Sequence, residues 1–350
     1  MRHRSLLPFS RRRMAAMSVG EKSGWVTAGR RIPIDVSDVE RLLEPWRGTR
    51  RVAIATLLDG GLMNRNYRVR VGEDDVVLRF YDRDPRACAK EVALLNAVQG
   101  RLPAPRVLYA APHAAPAPFV VLEFVDGISL RDLKRTGDRS ATVDAAHSVG
   151  LALSALASVS PTAFVHLATD VAPSEVFDGP NFNARLIDHF LASPHLQERI
   201  GASTVMRVRD FAWRHDEGLA AAHFPSAIAH GDFNSANILV RPHAGRWTVA
   251  AVLDWEFAFA GSMAYDIGNF LRYERSSSPW FEPGFSRGLV DGDVELPSDW
   301  RTTARVADLS ALCELLTRPE MPTHVADEVR GLVLTTLDGA DLSAAPSKTQ

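Results

Sequence analysis

The sequence predicts an α+β protein with two parts, a small antiparallel β-sheet with one helix and a larger, mainly helical part. Two observations support this fold class. Residues 52–125 are dominated by short β-rich runs separated by turn residues, as is typical of half-buried strands. Past Gly127 the apolar residues recur every three or four positions instead, which is typical of helices. At 350 residues the chain is long enough for about two domains.

The first part begins with strand patterns. The segments RVAIATLLDGG, NYRVRV and DDVVLRFY predict a meander of three antiparallel strands. A helix is predicted next over PRACAKEVALLNAVQG, where Pro85 suits the first turn and Gly100 suits the C-terminal cap. PRVLYAA and PFVVLEFVDG complete a sheet of about five strands.

The second part carries helical periodicity in TVDAAHSVGLALSALASV, NFNARLIDHFLASPHLQERI and TVMRVRDFAWRHDEGLAAA. Two further helices are predicted near residues 299–317 and 323–338, and Gly339 is expected to close the second. The stretch around residues 228–255 returns to a strand pattern. We therefore predict a first domain over residues 34–126 and a second over residues 127–345, with a cleft between them as a favoured place for a ligand.

The charge distribution separates the N-terminal segment from the rest. Residues 1–31 contain eight Lys and Arg and one acid, which leaves 32 basic and 41 acidic residues, a net charge of −9, for residues 32–350. A body of this charge repels nucleic acid, so no nucleic-acid partner is expected. We expect residues 1–33 to be a basic, disordered tail, or the true start of the protein to be Met14 or Met17. A mitochondrial-type transit peptide stays open on composition alone.

The composition indicates a globular protein of the cytoplasm. The chain is 46% hydrophobic and 23% charged, which is ordinary for a globular domain. It has no run of about 18 apolar residues, so no membrane span is expected. Cys88 and Cys313 form neither a CxxC pair nor a metal-ligand spacing, and two isolated thiols suit a reducing compartment.

One polar loop in the second part carries the chemistry. HGDFNSAN lies between the predicted strands AIAH and NILV and places Asp232 and Asn237 five residues apart across a tight bend. Seventeen residues after Asn237, the apolar strand VAAVL ends in Asp254. Two carboxylates and an amide at the ends of neighbouring strands suit phosphoryl transfer. One Asp accepts the proton of a substrate hydroxyl, while the Asn and the second Asp hold Mg²⁺ against the nucleotide phosphates.

These motifs resemble those of a known family. HGDFNSAN and LDWEFA are similar to the HGDxxxxN and (I/L)DW(E/D) signatures of the aminoglycoside phosphotransferase/choline kinase group, relatives of protein kinases. DGGLMNRNYRV, VVLRFY, KEVALLNAV and YDIGNF match further motifs in the same order, over residues 50–275. The resemblance implies a two-lobed protein-kinase-like fold. Residues 34–126 would be its nucleotide-binding lobe, and residues 127–345 its catalytic and acceptor-binding lobe.

The resemblance also implies a role for individual residues. Asp232 would be the catalytic base, and Asn237 and Asp254 would be the Mg²⁺ ligands. The backbone of residues 123–125 would meet the adenine. The implied nucleotide-binding residues are Gly60, Gly61 and Asn64 (or Asn66) in the loop after the first strand, Arg79 on the third strand, Glu91 on the helix, and Glu123 and Val125 at the connection.

Two features depart from the family pattern. Arg79 occupies the place usual for a Lys, although its planar fork can still reach phosphate and pair with Glu91. The loop GGLMNRNY lacks the full GxGxxG of protein kinases, but Gly60 and Gly61 allow the turn.

Four further residues near the motifs are expected to be structural. His230 is expected to hold the loop rather than to carry protons, and Asn234 is expected to form a turn. Asp266 either caps the helix IGNFLRYE or braces the catalytic loop. Trp255 is expected to pack against the cleft floor.

We therefore expect an enzyme that moves the γ-phosphate of ATP or GTP to a hydroxyl of a small molecule such as an aminoglycoside, an amino alcohol or a sugar, with Mg²⁺. The alternative is a catalytically silent, kinase-like binding protein, and Arg79 at the place of the usual Lys is the one feature that favours it. The sequence leaves the acceptor open. Acids would suit a polyamine-like acceptor, and aromatic residues would suit a choline-like cation. The candidates are Glu256, Glu274, Asp291, Asp293 and Glu314 among the acids, and Tyr273, Trp280 and Phe281 among the aromatics.

Overall fold

The structure is a computed structural model that describes most of the chain. The predicted N-terminal tail and the predicted Gly60–Gly61 turn lie outside the described residues. The described ranges are residues 34–58, 64–115, 117–159, 181–220, 226–274 and 280–341.

Five antiparallel strands form the sheet of the first part, in the spatial order β1-β2-β3-β5-β4. The predicted meander is present as β1 to β3, and the two further predicted strands complete the sheet. Buried and accessible side chains alternate along β2, where Tyr67, Val69 and Val71 face a core. The strands are β1 Val52–Leu57, β2 Arg65–Val71, β3 Asp74–Phe80, β4 Val107–Ala111 and β5 Phe119–Glu123.

Two helices flank this sheet, whereas the sequence pattern predicts one. The predicted helix is α2, Ala87–Val98, and it is followed by Gly100 in the left-handed conformation at φ +73°. The additional helix is α1, Val36–Arg47, which Asp35 caps by accepting the N–H of Ser37 at 2.8 Å. Its sequence carries only a short apolar face, so its helical state depends on packing against the sheet.

Eight helices form most of the described residues of the second part. The predicted single helix over residues 181–200 is broken, because a new helix begins at Pro194, a residue that suits a first turn but lacks the N–H needed inside a helix. Gly339 lies inside the last helix and does not end it. No described helix is both long and apolar enough to cross a membrane. The helices are α3 Leu130–Arg135, α4 Arg139–Leu156, α5 Phe182–Leu191, α6 Pro194–Ala220 (interrupted at Gly201), α7 Ala264–Leu271, α8 Glu282–Asp291, α9 Trp300–Thr317 and α10 Thr323–Asp341.

Short strands support the polar loop of the second part. The strands before and after HGDFNSAN are present, but they belong to different small sheets: β7 pairs with β10, and β8 pairs with β6 and β9. The loop therefore crosses from one small sheet to the other. The strands are β6 Ile128–Ser129, β7 Ser226–Ala229, β8 Ile238–His243, β9 Arg246–Val252 and β10 Phe259–Ser262.

The largest hydrophobic core is shared by the two parts. It joins Leu95 of α2 and Val120 of β5 to Leu153 of α4, Phe233 of the polar loop and Trp255 after β9. The sheet and the helices are thus packed together behind the cleft, while the domain boundary near residue 126 stays a prediction.

Helices α4 and α8 pack with their backbones close together because glycines lie at the contact. A Cβ atom at Gly288 would overlap the carbonyl oxygen of His147, and one at Gly150 would overlap the carbonyl oxygen of Phe285. This contact positions α4 against the core that carries the polar loop.

Gly288→Ala is expected to lower the free energy of unfolding by about 1–3 kcal/mol, because the added methyl group forces two packed helices apart. The matched control is Gly331→Ala on α10, where a Cβ would meet open space. There the substitution is expected to raise the free energy of unfolding by about 0.5–1 kcal/mol. Urea unfolding of both variants measures the difference, and equal effects would show that the α4–α8 contact is not tight.

Candidate active site

Asp232 is held in place by two amide side chains. Asn234 Nδ2 donates to its Oδ1 at 2.8 Å, and Asn237 Nδ2 donates to its Oδ2 at 2.9 Å. Both amides also donate to the carbonyl oxygen of Asp232 at 3.0 Å. Since an ionised carboxylate only accepts hydrogen bonds, these contacts fix the direction of both oxygens.

His230 supports the loop through hydrogen bonds of its buried, neutral ring. Its Nδ1 accepts the backbone N–H of Asp232 at 3.2 Å, so its proton lies on Nε2, which donates to the carbonyl oxygen of Leu253 at 2.9 Å. Burial lowers the pKa of His230 and keeps the ring uncharged. With both nitrogens occupied, the histidine acts as a brace and not as a proton carrier.

Asp266 braces the loop through its carboxylate. It lies in the first turn of α7 rather than at its cap, and its carboxylate accepts the backbone N–H groups of His230 at 2.7 Å and Gly231 at 3.0 Å. Burial raises the pKa of Asp266 to about 7. Gly231 sits at φ +80°, where a Cβ would also overlap the carbonyl oxygen of Phe257. The loop therefore requires a glycine before Asp232.

Asp254 enters the site from the segment after β9. Its backbone is left-handed at φ +70° and ψ 65°, which is rare for a residue other than glycine and costs free energy that active sites often carry. The N–H of Leu253 donates to the carbonyl oxygen of Asn237 at 2.8 Å and ties the two segments together. Asp232, Asn237 and Asp254 all line one cavity of about 860 Å³ between the sheet and the helices.

Arg79 lies among three carboxylates at the cavity floor. Its Nε is 3.1 Å from Oε2 of Glu91. Its Nη2 is 3.4 Å from Oε1 of Glu256 and also contacts Oδ1 of Asp254. Burial lowers the pKa of Arg79, but Asp254 and Glu91 outweigh it and raise that pKa well above its usual value. Burial and Asp254 raise the pKa of Glu256 to about 7. When all three carboxylates are ionised, this cluster carries a formal charge of −2, which favours a further cation.

Glu91 on α2 accepts hydrogen bonds from both parts of the protein. One oxygen accepts the hydroxyl of Tyr81 at 2.5 Å, and the other accepts the backbone N–H of Trp255 at 3.2 Å. The predicted partner of Glu91 is Arg79, whereas the contacts of Tyr81 with Glu91 and of Glu256 with Arg79 were not predicted. The contact of Tyr81 could have been expected from its spacing, because a residue two positions after Arg79 lies on the same side of the strand.

Asn237 and Asp254 offer oxygen atoms that fit Mg²⁺. Because Asn237 turns its Nδ2 to Asp232, its Oδ1 is the atom that can bind a metal. Oε1 of Glu256 is buried and accepts no hydrogen bond from the described residues, although it faces Arg79. The described chain has no group of three His, Cys, Asp or Glu suited to a metal. A site of one amide and one carboxylate nevertheless suits Mg²⁺, which keeps several waters and binds phosphate.

The predicted nucleotide-binding residues occupy different places. Glu123 and Val125 line the cavity. The backbone N–H of Glu123 donates to the carbonyl oxygen of Arg106 at 2.9 Å, so its carbonyl oxygen is what it can offer an adenine. Asn64 is buried and donates to Glu256 at 2.9 Å, whereas Asn66 lines the cavity. Asn66 is therefore the better placed of the two to meet a phosphate.

The candidate acceptor-binding residues mostly point elsewhere. Of the eight, only Glu314 lines the cavity. Glu274 is buried and accepts the N–H groups of Phe281 and Glu282, both at 3.2 Å, and Asp291 pairs with His147 at 2.8 Å. Their position along the chain did not reveal the direction of their side chains, which tertiary packing determines.

Comparisons with known proteins give a family match for this chain. The model of the APH phosphotransferase enzyme family matches residues 54–306. Curated protein sequences give no match.

Two solved structures show the same fold. A ternary complex of a thermostable mutant of aminoglycoside phosphotransferase APH(4)-Ia with ADP and hygromycin B has a TM-score of 0.59 and 18% identity, and the match covers 89% of this chain and 100% of that one. The GDP complex of wild-type aminoglycoside 2′-phosphotransferase-IIIa has a TM-score of 0.60 and 15% identity, covering 88% and 100%. The predicted α+β, protein-kinase-like fold is confirmed.

The buried histidine generates a prediction on stability. Because the pKa of folded His230 lies below 6.5, the unfolded chain binds more protons, and the free energy of unfolding should fall as pH drops below about 6.5. His230→Gln should be less stable at pH 7.5 by about 1–3 kcal/mol, since it loses the ring packed on Trp255. It should also lose this part of the pH dependence.

Urea unfolding of both proteins between about pH 5 and 8 measures the two profiles. Asp266, whose raised pKa makes stability fall as pH rises from about 4 to 7, acts in both proteins and cancels in the comparison. Parallel profiles would show that His230 does not titrate on unfolding as the buried ring requires.

Proposed function

The chain belongs to the APH phosphotransferase enzyme family, and from this premise we propose that it transfers the γ-phosphate of ATP or GTP to a hydroxyl group of a small molecule, with Mg²⁺. The observation that carries the proposal is the meeting of Asp232, Asn237 and Asp254 in one cavity between the sheet and the helices. Such a set of two carboxylates and an amide matches what phosphoryl transfer requires.

Asp232 is the proposed catalytic base. Asn234 and Asn237 hold its carboxylate, so an acceptor hydroxyl in the cavity meets an oriented oxygen that takes its proton. Asn237 and Asp254 are the proposed metal ligands. When bound there, Mg²⁺ would neutralise the charge of the transferring phosphate.

Arg79 and the connection between the parts are proposed to bind the nucleotide. Glu91 fixes the guanidinium of Arg79 at the cavity floor, where it can donate to a phosphate. Apolar side chains from both parts, Val77 and Leu239 among them, line the region beside residues 123–125 and can enclose a flat base. The carbonyl oxygen of Glu123 is the proposed acceptor from that base.

One observation favours the alternative of a catalytically silent binding protein. Arg79 contacts Asp254, a proposed metal ligand, and a cation bound there competes with Mg²⁺. Consumption of ATP or GTP, screened over aminoglycosides, choline, homoserine and sugars with Mg²⁺, distinguishes the two functions. A silent protein would bind nucleotide without consuming it in any mixture.

The proposed reaction also favours a cytoplasmic location, where nucleoside triphosphates are made. Cys88 and Cys313 are both buried and unpaired, as is usual in a reducing compartment.

The metal assignment is tested by Asp254→Ala. In the wild type, Mg²⁺ is expected to increase the rise in melting temperature that ADP gives, because Asp254 and Asn237 bind the ion next to the phosphates. In Asp254→Ala the rise should be the same with and without Mg²⁺. The control is Asp327→Ala, which removes the same charge from the exposed face of α10 and should behave as the wild type. Equal metal effects in all three proteins would exclude Asp254 as a ligand.

The catalytic assignment is tested by Asp232→Asn. This change keeps the shape of the loop but removes the base, so turnover on an acceptor found in the screen should fall by about 10²–10⁴-fold. Nucleotide affinity should stay within about threefold, because the other contacts to the nucleotide are unchanged. Single-turnover rates and nucleotide titrations of both proteins give these values. An unchanged rate together with an unchanged affinity would remove Asp232 from the mechanism.

A further inference from the structure

The cavity also has walls from α5, β10, α7 and α9, which hold none of the proposed nucleotide contacts. We call this region the acceptor half and define it as the part lined by α5, β10, α7 and α9. The hydroxyl that receives the phosphate must lie here, next to Asp232. The following inference rests on the proposed function and concerns the chemical class of that acceptor.

The walls of the acceptor half are largely aromatic and aliphatic. Phe182 and Phe190 line it from α5, Phe259 from β10, Tyr265 from α7 and Leu315 from α9. The rings of Phe259 and Tyr265 pack edge to face with centroids 5.2 Å apart, so the wall they form is fixed. A ligand gains most from such walls when it presents apolar surface to them.

The charges of the acceptor half are already paired with each other. Arg272 and Asp308 form a buried two-pronged ion pair, with distances of 2.9 and 2.5 Å and exposed fractions of 3% and 6%. Glu314 pairs with Arg318 at 3.0 Å. Within the described part of the chain, Asp308 and Glu314 are the acids of this half besides Asp232.

This pairing disfavours a polycation. Each amine of a polycationic ligand needs a carboxylate, and here it would have to displace an arginine and leave a buried charge without its partner. The two guanidinium groups also repel a cation directly.

Among the described residues of this half, one buried polar side chain has an atom without a hydrogen-bond partner. The side chain of Asn269 on α7 is 6% exposed and lines the cavity, and its Oδ1 accepts no hydrogen bond from the described residues. A buried carbonyl oxygen in this state is costly until a donor reaches it. It therefore points to a ligand that brings a hydroxyl or an N–H group in addition to the one that is phosphorylated.

We propose that the acceptor is an uncharged compound with an apolar or aromatic body, the reacting hydroxyl, and a second hydrogen-bond donor that meets Asn269. The hydroxyl oxygen forms the new bond to the γ-phosphorus while the bond from that phosphorus to the bridging oxygen breaks. The hydroxyl proton passes to Asp232, and ADP or GDP leaves. Atoms and charge balance without a further reactant.

The test compares two probes on the protein loaded with AMP-PNP and Mg²⁺. Tyrosol is an uncharged aromatic alcohol with a second hydroxyl, and hygromycin B carries several amines. Calorimetric titration at about 50 and about 300 mM NaCl should show tyrosol binding at about millimolar affinity, as expected for a ligand of its size, with no dependence on salt. Hygromycin B should not displace it.

Variants locate the binding site. Phe190→Ala and Asn269→Leu should each lower the affinity for tyrosol by about tenfold. The first loses apolar contact, and the second loses the acceptor oxygen. Phe259→Ala, at a half-buried position, replaces Phe190→Ala if that variant does not fold. The control is Trp213→Ala on α6, an exposed residue that does not line the cavity, and it should leave tyrosol affinity unchanged.

Nucleotide binding, measured in the same cell before either probe is added, separates the two proposals. A failure to bind AMP-PNP with Mg²⁺ would reject the proposed function itself. Two results would overturn the acceptor class alone, provided that nucleotide binding is intact. One is the absence of tyrosol binding at tyrosol concentrations up to about 50 mM, and the other is hygromycin B binding that weakens with salt.

Discussion

A single buried guanidinium joins the two sides of the candidate active site. Arg79 comes from the sheet, pairs with Glu91 on α2 and contacts Asp254 and Glu256 in the segment after β9. The side chains of Arg79, Glu91 and Glu256 are almost fully buried, and taking such charges out of water is costly unless they are paired. The planar fork of Arg79 reaches several carboxylates at once, whereas an ammonium, the group usual at this place in the family, is a point charge. The same fork lies where phosphate and Mg²⁺ would bring their own charges, so loading the site must redistribute these contacts.

The polar loop depends on a second set of contacts, separate from the arginine cluster. Asp266 accepts the backbone N–H groups of His230 and Gly231, and the ring of His230 accepts the N–H of Asp232. The loop can take this path only because Gly231 has no side chain that would overlap Phe257. Neither His230 nor Asp266 lines the cavity. They allow the loop to present Asp232 and Asn237 while the arginine cluster presents Asp254, and together they bring three side chains from two segments to one place.

The motif residues could be predicted from the sequence because their chemistry is local. Asp232, Asn237 and Asp254 stand at strand ends, and strands place their ends reproducibly. The ion pair of Arg79 with Glu91 was also predicted and is present, while the roles of all these residues stay predictions. The acceptor walls could not be predicted, since α5, α7 and α9 come together only by tertiary packing. For the same reason, the sequence did not show that candidate acids such as Glu274 are used by backbone N–H groups. Helix α1 was missed because its stability comes from the sheet it covers.

The central claim is that the arginine cluster and the polar loop form one magnesium-nucleotide site. A crystal structure of the protein with Mg²⁺ and AMP-PNP tests it most directly. The expected result is a metal ion at about 2.1 Å from Oδ1 of Asn237 and from the carboxylate of Asp254, with Arg79 donating to a phosphate oxygen. Nucleotide bound in the cavity with its metal away from both residues, and with Arg79 still on Asp254, would contradict it.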